Sequence, residues 1–180
     1  MALTGCGAGG LQEQQDLEAD PAFVVRMLPT RPGLTPDGGT ITSGSDGFDA
    51  TALGQDVPEL AKSTKDAGLR TAAVRRWTGP GGAQLVAIAG LWDDGEAASA
   101  IGGELARAAV PGGEAWTPSN YGGSQGFRSA DARALSVVLG KVSLFVRASG
   151  PVNDKALLRT IELMRKAAAQ QDLQGSGPDG

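Results

Sequence analysis

Two β-rich runs, Leu69 to Thr78 and Ala83 to Trp92, are separated only by Gly79-Pro80-Gly81-Gly82, and this segment restricts the fold more than any other. Turn formers concentrated between two strand-forming runs predict a β-hairpin. Pairing Thr78 with Ala83 predicts one face carrying Thr71, Ala73, Arg75 and Trp77 with Val86, Ile88 and Trp92, and another carrying Val74 with Leu85, Ala87 and Leu91. The second face is the cleaner core. A second hairpin is predicted from Ala134–Leu139 and Val142–Ala148 around Gly140-Lys141, where Val142, Leu144 and Val146 alternate with Ser143 and Arg147.

Helical patterns surround these hairpins. Asp20-Pro21 places an acid at N-cap and proline at N1, with Phe23, Val24, Met27 and Leu28 on one face and Pro29 as the stop. Three prolines and five glycines over 29–47 then predict a surface loop, with an extended piece at Gly39 to Thr42. A helix from Pro58, carrying Leu60, Ala61, Lys65 and Ala67, ends at Gly68 as C-cap. Asp93 and Glu96 have capping-box spacing at the start of a helix over Asp93 to Val110, whose Ala97, Ile101, Leu105 and Ala108 form a stripe. Gly102-Gly103 lower its helix propensity, which close packing on a sheet would explain. Asn153 caps the last helix, whose stripe is Leu157, Ile161, Met164 and Ala168.

The expected architecture is therefore α+β: an antiparallel sheet built from two hairpins, with helices packed mainly on one face. Two hairpin-plus-helix units have the outline of a pseudo-duplication, although the halves share no sequence identity that would make it recent. A single domain is expected over 20–171, with a flexible linker at 7–19 and a disordered tail at 172–180. A hydrophobic fraction of 41% is ample for its core, and with aromatics at 4% that core is built from Ala, Val, Leu and Ile.

Composition excludes several chemistries. Histidine is absent and cysteine occurs once, which removes the usual zinc and copper sites, Ser-His-Asp triads and Cys-His dyads. One cysteine also forbids an intramolecular disulfide. Net charge is −4 and no Lys/Arg stripe forms, so no nucleic-acid partner is expected. No cofactor or metal is expected either.

Leu3-Thr4-Gly5-Cys6 reads as a lipobox: Gly5 is the small residue before the cut, Cys6 the thiol that takes lipid, and Leu3 the end of an apolar segment. Residues 1–6 are then the remnant of a signal peptide, and Gly7-Ala8-Gly9-Gly10 is the leash. The competing reading is a lone free thiol at a frayed terminus. Only Met1 and Ala2 precede Leu3, whereas export requires a charged region and about 7 to 15 apolar residues. The reading frame is expected to extend upstream of Met1, unless Met1 begins a chain trimmed near its mature end.

Several segments together carry a family resemblance: Leu3-Thr4-Gly5-Cys6, Glu59 to Gly68 leading into the Arg76–Gly82 hairpin, the helix start Asp93-Asp94-Gly95-Glu96-Ala97-Ala98, and the close over Val142 to Met164. They resemble secreted lipoproteins of actinobacteria, of uncharacterised family, with a sensor-like or solute-binding-like α+β domain. The resemblance implies attachment to the cell membrane through lipid on Cys6, on the extracytoplasmic face. Kinase sensor domains among such relatives carry disulfides that a chain with one cysteine lacks.

Candidate sites are few. Trp116, Tyr121 and Phe127 on a glycine-rich loop can form a lid over an apolar ligand or plug the loop onto the core. Trp77 and Trp92, on one predicted hairpin face, can add a wall to that pocket or cover the sheet against a helix. Gly122-Gly123-Ser124-Gln125-Gly126 lacks the Gly-Lys-Ser/Thr ending of a phosphate cradle, and Ser45-Asp46-Gly47-Phe48-Asp49 falls short of a calcium ligand set. No spacing brings two carboxylates together, and Asp93-Asp94 are explained as helix caps. The leading expectation is a lipid-anchored binding or sensor module with no catalytic residues, whose partner is a small apolar ligand or an envelope protein. The alternatives are a structural or protein-interaction lipoprotein and a carboxylate-dependent hydrolase.

Overall fold

The computed structural model describes residues 21–30, 34–44, 62–64, 66–151 and 154–175. The lipobox and linker, Asp20, the Ser45–Asp49 segment, the start of the helix expected from Pro58, the Asn153 cap and the tail from 176 onward lie outside the described residues.

The first hairpin comprises β3 (Leu69–Gly79) and β4 (Ala83–Trp92), which follow two short strands, β1 (Thr35–Pro36) and β2 (Ile41–Gly44). Its turn is tighter than expected. Gly79 already pairs with Ala83, leaving Pro80, Gly81 and Gly82 to reverse the chain, with Gly81 and Gly82 at φ of 67° and 79°. Glycine takes two successive positive φ angles at no steric cost. Thr78 therefore faces Gln84, not Ala83, and the one-residue slip re-sorts the faces. Ala73, Trp77, Leu85, Ala87, Ala89 and Leu91 belong to one buried cluster, while Ala72, Val74, Val86, Ile88 and Trp92 belong to the other. Trp77 and Trp92 do not share a face, which corrects the expectation drawn from the Thr78–Ala83 pairing.

The second hairpin, β7 (Ala132–Leu139) and β8 (Val142–Ser149), joins the first where β8 pairs antiparallel with β4. Two further strands, β5 (Glu114–Ala115) and β6 (Gln125–Arg128), arise in the glycine-rich loop and complete the order β1-β3-β4-β8-β7-β6-β5, with β2 also on β3. Tertiary pairing, rather than β propensity, makes strands of these short polar pieces.

The α+β class and the antiparallel two-hairpin sheet are as expected, but the helices cover both faces. On one face lie α1 (Pro21–Val25), with Val24 buried, and α3 (Asp154–Gly175), whose Leu157, Ile161, Met164 and Ala168 are all buried as the stripe predicts. Across the sheet lies α2 (Gly95–Ala108), with Ala98, Ile101 and Leu105 in the second cluster. The reason is legible in β4: of ten residues only Gln84 is exposed, so neither face could be left to water.

The α2 cap is also displaced by one residue. Asp94, not Asp93, is the N-cap, accepting from the Glu96 and Ala97 amides at 3.2 and 3.3 Å. Asp93 instead pairs with Arg70. The Gly102-Gly103 pair has the packing role expected of it, since a Cβ on Gly102 would lie 2.3 Å from Ser136 Oγ of β7 and one on Gly103 1.8 Å from Gln125 Oε1 of β6.

Candidate functional site

The aromatic residues singled out from sequence do not form one cluster. Trp77 and Trp92 are each 1% exposed and lie in separate cores on opposite sides of the sheet. Trp92 Nε1 donates to Ser143 Oγ at 2.8 Å, which satisfies the indole within the core. Both tryptophans cover the sheet against helices. The expected three-residue lid is divided as well, since Phe127 packs on the α2 side beneath the Arg107 guanidinium, 5.3 Å from the ring centre. Trp116 and Tyr121 pack half-buried on the α3 side.

Local hydrogen bonds position that part of the loop. The Trp116 amide donates to Gly126 O at 2.8 Å, and a Cβ on Gly126 would lie 2.4 Å from Trp116 O, so the two backbones approach this closely only with glycine. Tyr121 N donates to Pro118 O, and the Ser124 amide and hydroxyl both donate to Tyr121 O, at 3.0 and 2.6 Å. The Tyr121 hydroxyl donates to Leu158 O of α3 at 3.3 Å, and the Arg165 guanidinium lies 5.5 Å from the ring centre.

Between this loop and α3 is an open pocket of about 680 Å³. Asn120 and Tyr121 line it from the loop, and Lys155, Leu158, Arg159, Glu162 and Arg165 from the helix. Glu162 lies 3.7 Å from Arg165 and 3.8 Å from Lys166. Burial holds the Tyr121 phenol above its ordinary pKa, the Glu162 carboxylate pushes it the same way, and Arg165 opposes both. Such a pocket can seat a small molecule, with Tyr121 and Leu158 as its apolar surface and charged groups around it.

Other polar groups have structural roles. A smaller pocket of about 490 Å³, lined in part by Gly112, Ser129 and Ala130, contains Glu114 and Arg128, which pair with each other at 2.8 Å. Arg75 donates to Thr40 Oγ1 and to the carbonyls of Leu28 and Pro29, tying the segment after α1 to β3, and burial lowers its pKa. Among the described residues no three of His, Cys, Asp and Glu gather as a metal-binding group. Asp93, Glu114, Asp154 and Glu162 each face an arginine, so the described carboxylates that form ion pairs do so with cations.

Of the five aromatic residues singled out from sequence, only Tyr121 lines this pocket. The α3 contributors carry no distinct binding signal in the sequence, because charges on a helix's outer face read as solvated. Their one sequence signal is the spacing of Lys155, Arg159, Glu162 and Arg165, three or four residues apart.

No protein-family model matches the chain, and no curated protein matches it. Among solved structures, the extracellular domain of PknH from Mycobacterium tuberculosis is similar in fold, with a TM-score of 0.56 over 84% of this chain and 97% of that one, at 9% identity. An uncharacterised protein from Mycobacterium smegmatis, the ortholog of Rv0999, aligns over 84% of this chain and 96% of its own, with a TM-score of 0.34 and 16% identity. At 9% identity the likeness to PknH establishes a common fold, and nothing of compartment or ligands. Among the described residues, no helix is long and apolar enough to cross a membrane.

Proposed function

We propose that this chain is an extracytoplasmic binding or sensor module, held at the cell membrane by lipid on Cys6, whose ligand sits between the Tyr121 loop and α3. The observation that carries the reading is the pocket of about 680 Å³, built from a loop tied to a helix backbone by the Tyr121 hydroxyl. Its volume falls in the range of small-molecule sites. The lipobox at Leu3-Thr4-Gly5-Cys6 and the fold shared with the PknH extracellular domain support the compartment.

Native mass spectrometry of the full chain purified from its own host tests binding. A retained small mass is expected, and Tyr121→Ala, with its fold checked by thermal melting, is expected to lose it. A chain with no retained mass would refute the reading, and a co-purifying protein in its place would make this an interaction lipoprotein. Labelling cells with an alkynyl fatty acid tests the anchor: the chain should be labelled and Cys6→Ala should not, and an unlabelled wild-type chain would remove Cys6 from the account.

A further inference from the structure

The charges along α3 are ordered, and the order describes a ligand. Lys155, Leu158, Arg159, Glu162 and Arg165 recur every three or four residues and form one stripe, which extends about 15 Å along the helix from 155 to 165. Toward its C-terminal end the stripe is internally neutralised, because Glu162 is shared by Arg165 and Lys166 and Arg165 already covers the Tyr121 ring. Toward its N-terminal end it is not. Among the described residues Lys155 and Arg159 have no carboxylate partner, and the adjacent Asp154 is taken by Arg133. In a chain of net charge −4, three of the pocket's charged groups are cations and one is a carboxylate.

We infer that the pocket binds an amphiphile with one anionic head, carboxylate or phosphate, held between Lys155 and Arg159, and an uncharged body lying over Leu158 and the Tyr121 ring. Arginine suits either head because its planar fork donates two parallel hydrogen bonds to paired oxygens. Glu162 disfavours a second anionic group further along the stripe. A cationic ligand on Tyr121 would meet a ring face already occupied by Arg165, with Lys155 and Arg159 repelling it. This inference rests on the proposed binding role and specifies its ligand class.

The test is a titration of the full chain, followed by amide NMR, with octanoate, octyl phosphate, octyl glucoside and octyltrimethylammonium, each below its micelle concentration, and with inorganic phosphate. Saturable shifts at Asn120, Tyr121 and residues 155–165 are expected from octanoate or octyl phosphate, the stronger of the two identifying the head. Inorganic phosphate, lacking the body, should bind more weakly than octyl phosphate at the same residues. Arg159→Gln and Lys155→Gln should each weaken the anionic probe about fivefold, the worth of one exposed charge pair, and added salt should do the same. Lys141→Gln, on the β7–β8 turn, should change nothing. Equal binding of octyl glucoside, or anionic binding indifferent to both substitutions, would overturn the anionic head and leave the pocket standing. Silence from every probe would also overturn it, while the retained mass and its loss in Tyr121→Ala decide the binding role separately.

Discussion

Alanine at Gly102 should destabilise the protein even though alanine is the better helix former. In an exposed helix interior the exchange would gain about 1 kcal/mol. Here the new Cβ would lie 2.3 Å from Ser136 Oγ and 3.3 Å from Ser136 Cβ, with both residues buried between α2 and β7. Relief requires the hydroxyl to rotate within a packed interface or α2 to lift from the sheet, and overpacking of this kind costs about 1–3 kcal/mol. Subtracting the propensity gain leaves a net destabilisation of about 1 kcal/mol.

The partner in this contact makes the reasoning separable. Among the described residues Ser136 Oγ has no hydrogen-bond partner, so Ser136→Ala removes a buried hydroxyl that satisfies nothing and should be neutral to stabilising. It also removes the 2.3 Å approach, leaving a Cβ–Cβ distance that a shift of a few tenths of an ångström relieves. In that background Gly102→Ala should recover its propensity gain, giving a coupling of about 1–2 kcal/mol between the two sites. Urea denaturation of the wild type, both single variants and the double variant measures the cycle, with unchanged m-values required for the comparison. Stabilisation by Gly102→Ala alone, or effects that add within about 0.3 kcal/mol, would refute the close-packing account of this glycine.

Gly103→Ala should be within about 0.5 kcal/mol of neutral by the same assay, because its obstacle is the exposed Gln125 amide, which can swing away at the loss of its bonds to Ser99 O and Oγ while the helix gains propensity. Trp92→Phe should cost at least about 2 kcal/mol, from lost core volume and a Ser143 hydroxyl left unpaired, and Ser143→Ala should recover part of that loss in the double variant. Tyr121 is the only tyrosine, so phenolate absorbance reports it alone, and its midpoint should lie above pH 10 and fall in Glu162→Gln. Because the folded-state pKa is raised, the associated stability is complete below about pH 10 and is lost as pH rises through the folded value; a midpoint at or below 10 would contradict the packing of Tyr121 on α3.

The parts of the fold legible in sequence are those whose signal is local. The Gly79–Gly82 turn, the Leu157–Ala168 stripe and the extent of β4 follow from turn chemistry and periodicity, which neighbouring residues determine among themselves. The register of the first hairpin did not follow, because Gly79 can serve either as the last strand residue or as the first turn residue, and only the positive φ angles at Gly81 and Gly82 decide between them. The short strands β5 and β6 carry no β pattern of their own and exist because β7 and the Trp116 backbone lie beside them. The second helix layer has its sequence signal in β4: a strand whose residues are all apolar or glycine except Gln84 requires cover on both sides.

That double cover explains why, of the aromatic residues singled out from sequence, only Tyr121 lines the pocket. Aromatic residues on the strands of a one-sided sheet can line a pocket, but when helices close both faces every large strand side chain near the centre is enclosed, as Trp77 and Trp92 are at 1% exposure. Under the proposed binding role, recognition of a small molecule then falls to what remains outside the three layers, namely the outer faces of helices and the loops laid across them. The Tyr121 loop on α3 meets that requirement, and its link to the helix is a hydroxyl donating to the Leu158 carbonyl, a contact that no choice of side chain at position 158 would have announced in the sequence. The same geometry separates stability from recognition: α3 turns Leu157, Ile161 and Met164 inward and places Lys155 and Arg159 at the pocket. Substitutions at those two cations should therefore alter ligand preference while leaving the core packing, and with it the melting temperature, nearly unchanged.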